Sequence, residues 1–178
     1  MKVESGEIVT AYTTTQHLLI DLDHASPYAA SGLALQLCRD FPYLGNCLVV
    51  HNGGKSCHLI FDNIVSFEKL TYIIKLLWDF KIVNDEVVYF REQRGDFSLR
   101  VSEKLTVDAD RPIPAPIFWI ANNMTDCHDH KILDYLQLLS FFNPTVCELI
   151  AKPLPLFPIL HLASPDLVVY SLRESSGP

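Results

Sequence analysis

The sequence predicts an α+β domain built on a split βαβ arrangement, and three observations support this. Apolar segments between residues 17 and 90 alternate in period as strand, helix, strand, strand, helix, strand. Two adjacent glycines, Gly53 and Gly54, separate the second and third strands and predict a hairpin. Right-handed crossovers then place the first and third strands at the centre of an antiparallel sheet, with the fourth beside the first.

Composition narrows the class of protein. The chain has 178 residues, of which 49% are hydrophobic, so it is long and apolar enough for one domain with a substantial core. A net charge of −7 argues against a broad basic surface for duplex DNA. Five cysteines without paired spacing indicate reduced thiols in an intracellular protein. No signal-peptide core and no membrane-spanning apolar run are present in the sequence, so we expect no membrane partner.

The first predicted strand, residues 17–23, ends in two acids. Strand alternation puts Asp21 and Asp23 on one face, where two carboxylates repel unless a cation lies between them. Hard divalent ions such as Mg²⁺ and Mn²⁺ prefer such an oxygen pair. The alternative is a solvated strand end followed by a turn.

The hairpin presents three polar side chains just after its glycines. A helix over 28–41, begun by Ser26 and Pro27, connects the first strand to strands predicted at 46–51 and 57–62. Lys55, Ser56 and His58 supply a cation, a hydroxyl and an imidazole, which together with backbone N–H groups suit phosphate oxygens. An ordinary polar hairpin tip is the alternative.

A second βαβ half completes the predicted sheet. Ser66 begins a helix over 67–80, Asn84-Asp85 interrupts the pattern, and a strand is predicted over 86–90. The order βαββαβ is that of RRM-like and ferredoxin-like folds. Because the third and fourth strands run opposite to the first, Asp85 is expected near the two acids of the first strand and near the Lys-Ser-x-His group.

Further along the chain, a turn over 91–96 and a returning strand over 97–104 form an added antiparallel hairpin. Alternation puts Arg100 and Lys104 on one face with Ser98 and Ser102, where the cations could meet phosphates or lie on a solvated surface. Asp108 and Asp110 compete with Asp85 for the role of third carboxylate. A Pro-rich strand follows over 112–120.

The C-terminal part offers a weaker metal signal. The cluster Cys127-His128-Asp129-His130 lacks a second Cys/His pair, so the start of a helix is favoured over a zinc site. That helix is predicted over 131–142. Residues 1–150 are expected to form the main domain, with the Pro-rich segment 151–178 extended and packed on it.

These motifs together resemble the archaeo-eukaryotic primase superfamily, with the primase-polymerase branch the most similar. Leu19-Ile20-Asp21-Leu22-Asp23 resembles its acidic first motif, and Lys55 through Phe61 its Ser-x-His second motif. Asp85-Glu86-Val87-Val88-Tyr89, Arg94 and the strand 97–104 resemble its third motif and the strand after it. The chain differs from the family in its short length, its acidic charge and its lack of a zinc knuckle between the second and third motifs.

The resemblance implies template-directed nucleotidyl transfer from nucleoside triphosphates in DNA replication or repair. Asp21, Asp23 and Asp85 would hold Mg²⁺ or Mn²⁺, and the triphosphate would be bound by Lys55, Ser56, His58, Arg100 and Lys104. Implied partners are a single-stranded DNA template and a helicase or second primase subunit. Two other readings stay open: a non-catalytic subunit that keeps the fold, and a metal-dependent nuclease, although a nuclease gives no reason for the Lys-Ser-x-His group.

Overall fold

The protein is described here by a computed structural model covering residues 11–102, 112–126, 132–152 and 157–173. The described residues confirm the α+β class. Eight strands are β1 (Ala11–Thr14), β2 (Leu19–Asp23), β3 (Cys47–His51), β4 (Ser56–Phe61), β5 (Phe97–Arg100), β6 (Ala115–Asn122), β7 (Ile159–Ser164) and β8 (Leu167–Ser171). Five α-helices are α1 (Pro27–Asp40), α2 (Phe67–Asp79), α3 (Asp85–Arg94), α4 (Ile132–Ser140) and α5 (Thr145–Ala151).

The strands form two antiparallel sheets. The larger has the order β2-β4-β3-β6-β8-β7, and β1 pairs with β5 in a separate ribbon. The third predicted strand, β4, lies between the first, β2, and the second, β3, as the split βαβ arrangement requires for these three. The helix α1 packs against β3, β4 and β6 on one face of the larger sheet. The C-terminal helices α4 and α5 lie on the other face, where they border a cavity together with residues of β3 and β6.

Local signals account for the elements that the sequence predicts. The Ser26 hydroxyl accepts a hydrogen bond from the Ala29 N–H at 3.2 Å, and Pro27 occupies the first turn of α1. The helix α2 buries an apolar stripe at helical spacing, formed by Leu70, Ile73, Ile74 and Leu77. Ser66 occupies the N-cap position of α2, but its side chain makes no capping hydrogen bond.

The predicted strand over 86–90 is wrong, because these residues belong to α3. The Asn84 side chain accepts from the Val87 N–H at 3.2 Å, and Gly95 ends the helix in the left-handed conformation at φ 72°. Acidic residues in the first turn and arginines in the last turn stabilise α3 through favourable interactions with the helix dipole. The predicted split βαβ sheet therefore lacks its fourth strand, and the predicted turn over 91–96 begins only after Arg94.

The strand β5 has a different partner from the one predicted. It pairs with β1 through Thr13 opposite Ser98, whose hydroxyls are 2.9 Å apart, rather than with residues 86–90. The ribbon lies beside β2, so the edge of the sheet where a fourth strand was expected is occupied by β1 and β5. Within β5 the predicted alternation holds, since Phe97 and Leu99 are buried while Ser98 is exposed.

The C-terminal segment is more regular than predicted. Residues 159–171 form the hairpin β7–β8, and β8 pairs with β6, so this segment extends the main sheet. The short helix α5, which the sequence analysis did not anticipate, packs against α4. No helix in the described ranges is both long enough and apolar enough to cross a membrane.

Candidate functional site

The acidic and Ser-x-His motifs meet through strand register. In the β2–β4 pair, Asp21 lies directly opposite His58 and Asp23 directly opposite Ser56. Residues that face each other across an antiparallel pair project from the same face of a sheet. All four side chains therefore share one face, opposite to the face on which α1 packs.

These side chains differ in their access to solvent. His58 is 1% exposed, whereas the Asp21 side chain is 42% exposed. Nε2 of His58 lies 3.6 Å from Oδ1 of Asp21, which is ion-pair distance when the imidazole is protonated. Ser56 is 7% exposed, and its hydroxyl lies 3.5 Å from Nδ2 of the buried Asn52. His58 and Ser56 are thus buried, whereas the neighbouring Asp21 carboxylate is partly exposed to solvent.

The three predicted carboxylates line one open cleft. Asp21, Asp23 and Asp85 all border a cavity of about 460 Å³ at the end of β2. Asp85 is the first residue of α3, and its Oδ1 accepts a hydrogen bond from the Trp78 indole N–H at 2.6 Å. This bond fixes the Asp85 carboxylate against α2 rather than leaving it free to rotate.

Two further residues, which sequence reasoning missed, border this cleft. His24 and Lys81 are non-glycine residues with positive φ, at 63° and 60°. At Lys81 this conformation ends α2, because the Ile82 N–H donates to the Leu77 carbonyl at 2.9 Å, whereas His24 follows β2 directly. The Lys81 ammonium lies 5.0 Å from the Trp78 ring centroid, which places a cation beside the three acids. Neither residue could be identified as a site residue from the sequence, because neither stands in a recognisable motif.

The hairpin turn is held by its backbone and by Arg100. Asn52 N–H donates to the Ser56 carbonyl at 2.9 Å, and Ser56 N–H donates to the Gly53 carbonyl at 3.1 Å. The Arg100 guanidinium donates to the Asn52 side-chain and main-chain oxygens and to the carbonyls of Ser102 and Pro112. Arg100, predicted to meet phosphates, here braces the turn from which Ser56 and His58 extend. Lys55 lies exposed at the tip.

The two glycines of this turn differ in the space that surrounds them, so alanine variants at the two positions form a matched pair. Gly53 has φ 93°, and a Cβ there would lie 2.5 Å from the Pro112 ring, whereas Gly54 has φ 56° and open space. We expect Gly53→Ala to destabilise the fold by roughly 2–3 kcal/mol and Gly54→Ala by about 1 kcal/mol. Urea unfolding of both variants measures the difference. Equal midpoints would show that Pro112 does not restrict the turn.

A second cavity adjoins the first at Asp21. It has a volume of about 230 Å³ and brings Asp21 together with Arg94, Asp96 and Ser98 from the end of α3 and from β5. In the sequence, Arg94 is a candidate only through its resemblance to the third motif. Its placement beside Asp21 depends on α3 being a helix, which the strand prediction over 86–90 concealed.

Cys57 belongs to the other face of β4. Its thiol lies 3.5 Å from the Ala25 carbonyl at the start of α1, and burial, with a smaller effect of Asp21, raises its pKa to about 11. The thiol is therefore protonated near neutral pH and is not an activated nucleophile. Cys38, Cys47 and Cys147 are also free thiols, as predicted from their spacing.

The residues present fit a hard divalent ion in donor chemistry. Asp21 and Asp23 offer carboxylate oxygens at one strand end, and Mg²⁺ is commonly held by one or two carboxylates together with water and substrate phosphates. Among the described residues, no three His, Cys, Asp or Glu side chains stand close enough together to form a complete protein cage. An ion here would thus need oxygen ligands beyond the protein.

Several predicted site residues lie outside the described residues. These are Lys104, Asp108, Asp110, Cys127, His128 and His130. Comparison with known proteins adds no assignment, since no protein-family model, curated protein or solved structure matches the chain.

Proposed function

We propose that the protein is a nucleotidyltransferase of the primase-polymerase type, which joins nucleotides from nucleoside triphosphates along a DNA template. The observation that carries the proposal is the register of β2 on β4, which pairs Asp21 with His58 and Asp23 with Ser56. Two motifs that lie more than thirty residues apart in the sequence thereby form one continuous polar face. Asp85, from a third motif, borders the same cleft.

In this proposal Asp21 and Asp23 would hold Mg²⁺ or Mn²⁺ together with oxygens of the triphosphate, and Asp85, which borders the same cleft, would be the third carboxylate once ligand brings it closer. When bound, such ions activate the attacking hydroxyl and neutralise charge on the leaving pyrophosphate. His58 lies beneath Asp21 and orients its carboxylate, and Ser56 stands beside Asp23. Lys55 at the exposed tip meets the triphosphate, with Lys104 and Arg100 as further candidates from the resemblance. Positioning and charge stabilisation supply most of the rate in such a reaction.

A non-catalytic subunit with the same fold is the second candidate, and a specific observation favours it. Ser56 and His58 are covered in the described arrangement, and the Arg100 guanidinium already donates to four oxygens of the chain. Direct contact of these groups with a nucleotide therefore requires the hairpin or its surroundings to move. The net charge of −7 also disfavours direct binding of a DNA template, so in this second candidate a partner subunit would bind the template.

Calorimetric titration of dATP and ATP into the protein, with and without Mn²⁺, separates the two candidates. A nucleotidyltransferase is expected to bind nucleotide only with Mn²⁺, and His58→Ala and Asp23→Asn should each weaken binding at least tenfold. Asp166→Asn is the matched control, because Asp166 is an exposed acid in the β7–β8 turn, at the far end of the sheet from β2. Wild-type protein that binds no nucleotide would favour the non-catalytic subunit.

A further inference from the structure

The cleft that the three predicted carboxylates border also has a cationic side. Lys81 lines this cavity of about 460 Å³, and it is the only lysine or arginine among the described residues that line it. Lys55, which the sequence predicts as a cation for a triphosphate, lies at the hairpin tip and does not line the cavity. The basic group of this cleft therefore comes from the end of α2 and not from the hairpin.

Trp78 contacts both this cation and one of the acids. Its indole N–H donates a hydrogen bond to Oδ1 of Asp85 at 2.6 Å, and the Lys81 ammonium lies 5.0 Å from the centroid of its ring. The face of an indole attracts a cation, whereas its N–H can only donate and so suits a carboxylate. One aromatic side chain thus places an anionic group and a cationic group at the same cleft.

The Lys81 ammonium borders the same cavity as the three acids without being ion-paired to them. Among the described residues it forms no ion pair with any carboxylate, so it can still bind an anion. A divalent ion held by Asp21 and Asp23 needs further oxygen ligands, which substrate phosphates commonly supply. A triphosphate bound to such an ion carries additional negative charge, and a lysine ammonium is a common phosphate ligand. The anion that fits both sides of the cleft is therefore a metal-bound polyphosphate.

We propose that Lys81 binds the β- and γ-phosphates of the nucleoside triphosphate, which leave as pyrophosphate. This inference rests on the proposed function, in which Asp21 and Asp23 hold the metal ion. When the bond between the α-phosphorus and the bridging oxygen breaks, its electron pair goes to the pyrophosphate, and a cation beside that group stabilises the added charge. Trp78 holds the cation at this place by its ring. A lysine that only packs on Trp78 would have no effect on the affinity for phosphates once the fold is intact.

Three substitutions at this position separate charge from packing. Lys81→Met removes the charge but keeps a long side chain, Lys81→Gly removes the whole side chain and suits the backbone at φ 60°, and Lys81→Arg keeps a cation. We expect Lys81→Met and Lys81→Gly each to bind ATP and dATP with Mn²⁺ about tenfold more weakly, with the same loss for pyrophosphate as a competitor. Lys81→Arg should stay within about threefold of wild type. Lys75→Met is the control, because Lys75 is an exposed lysine of α2 that pairs with Glu92 at 3.2 Å.

Each other outcome overturns a defined statement. Wild-type affinity in both Lys81→Met and Lys81→Gly, while wild-type protein binds nucleotide with Mn²⁺, overturns this inference alone. A loss in only one of the two overturns it as well, because the backbone or the packing on Trp78 would then be the cause. The same holds for an equal loss in Lys75→Met, or for a loss with nucleotide but not with pyrophosphate. Absence of ATP and dATP binding by the wild-type chain overturns the proposed function and this inference with it.

Discussion

Asp21→Asn is expected to lower nucleotide incorporation by roughly 10³-fold or more, because it removes one of the negative charges that would hold the metal ions. Asp21 is the carboxylate that borders both cavities and lies 3.6 Å from His58. The substitution keeps the shape of the side chain, so the fold should survive. Extension of a primed single-stranded template by labelled dNTPs with Mn²⁺ measures the rate, and circular dichroism melting checks the fold.

The control for this experiment is again Asp166→Asn, which changes the net charge equally and leaves the site intact. We expect it to extend primers at the wild-type rate. Asp23→Asn should be as inactive as Asp21→Asn, since both acids project from one face of β2. Incorporation by Asp21→Asn within tenfold of wild type would contradict the metal-ligand assignment. Inactive wild-type protein would instead point to the non-catalytic subunit.

The part of the site that lies on β2 and β4 could be predicted because short-range rules determine it. Two glycines at positive φ form the turn, and alternation then places Ser56 and His58 on one face. The pairing of β4 with β2 follows from the handedness of the connection through α1. The proximity of the two acids to Ser56 and His58 was therefore predictable from local pattern and topology together, whereas the residue-by-residue register comes from the structure.

The burial of Ser56 and His58 could not be predicted from such local rules. The Ser56 hydroxyl lies against the side chain of the buried Asn52, which in turn accepts a hydrogen bond from Arg100 of β5, a residue distant in sequence. The pairing of β1 with β5 joins residues 11–14 to residues 97–100. Pairs of four-residue strands so far apart leave no periodic signal strong enough to identify the partner.

The error over 86–90 has a similar cause. Glu86-Val87-Val88-Tyr89-Phe90 is rich in β-branched and aromatic residues, which favours a strand over such a short window. The capping residues at both ends, Asn84 and Gly95, decide in favour of a helix. Extending the window to both caps would have shown acids at the start and arginines at the end of a ten-residue segment.

That helix holds the residue with the largest expected effect on stability, Arg91. It is 1% exposed, and its guanidinium carbon lies 4.3 Å from the Phe67 ring centroid and 4.5 Å from that of Phe97. Its Nη1 donates to the Thr15 carbonyl at 3.3 Å and to the Gly95 carbonyl. Burial lowers its pKa, and the charge of Asp96 opposes this. One side chain thus joins α3 to α2, to β5 and to the segment before β2.

Arg91→Ala is expected to destabilise the protein by about 3–5 kcal/mol, measured by urea unfolding, because it leaves a cavity between two aromatic rings and removes the donor to two carbonyls. Arg91→Met fills most of the space without a buried charge, so its loss should be smaller. Arg94→Ala is the control: Arg94 is exposed on the same helix, and its loss should stay within about 0.5 kcal/mol. An Arg91→Ala loss below about 1 kcal/mol would mean that the guanidinium does not join these elements. Phe97 begins the strand β5 that ends in Arg100, so the packing of Arg91 and the bracing of the hairpin turn are joined through one strand.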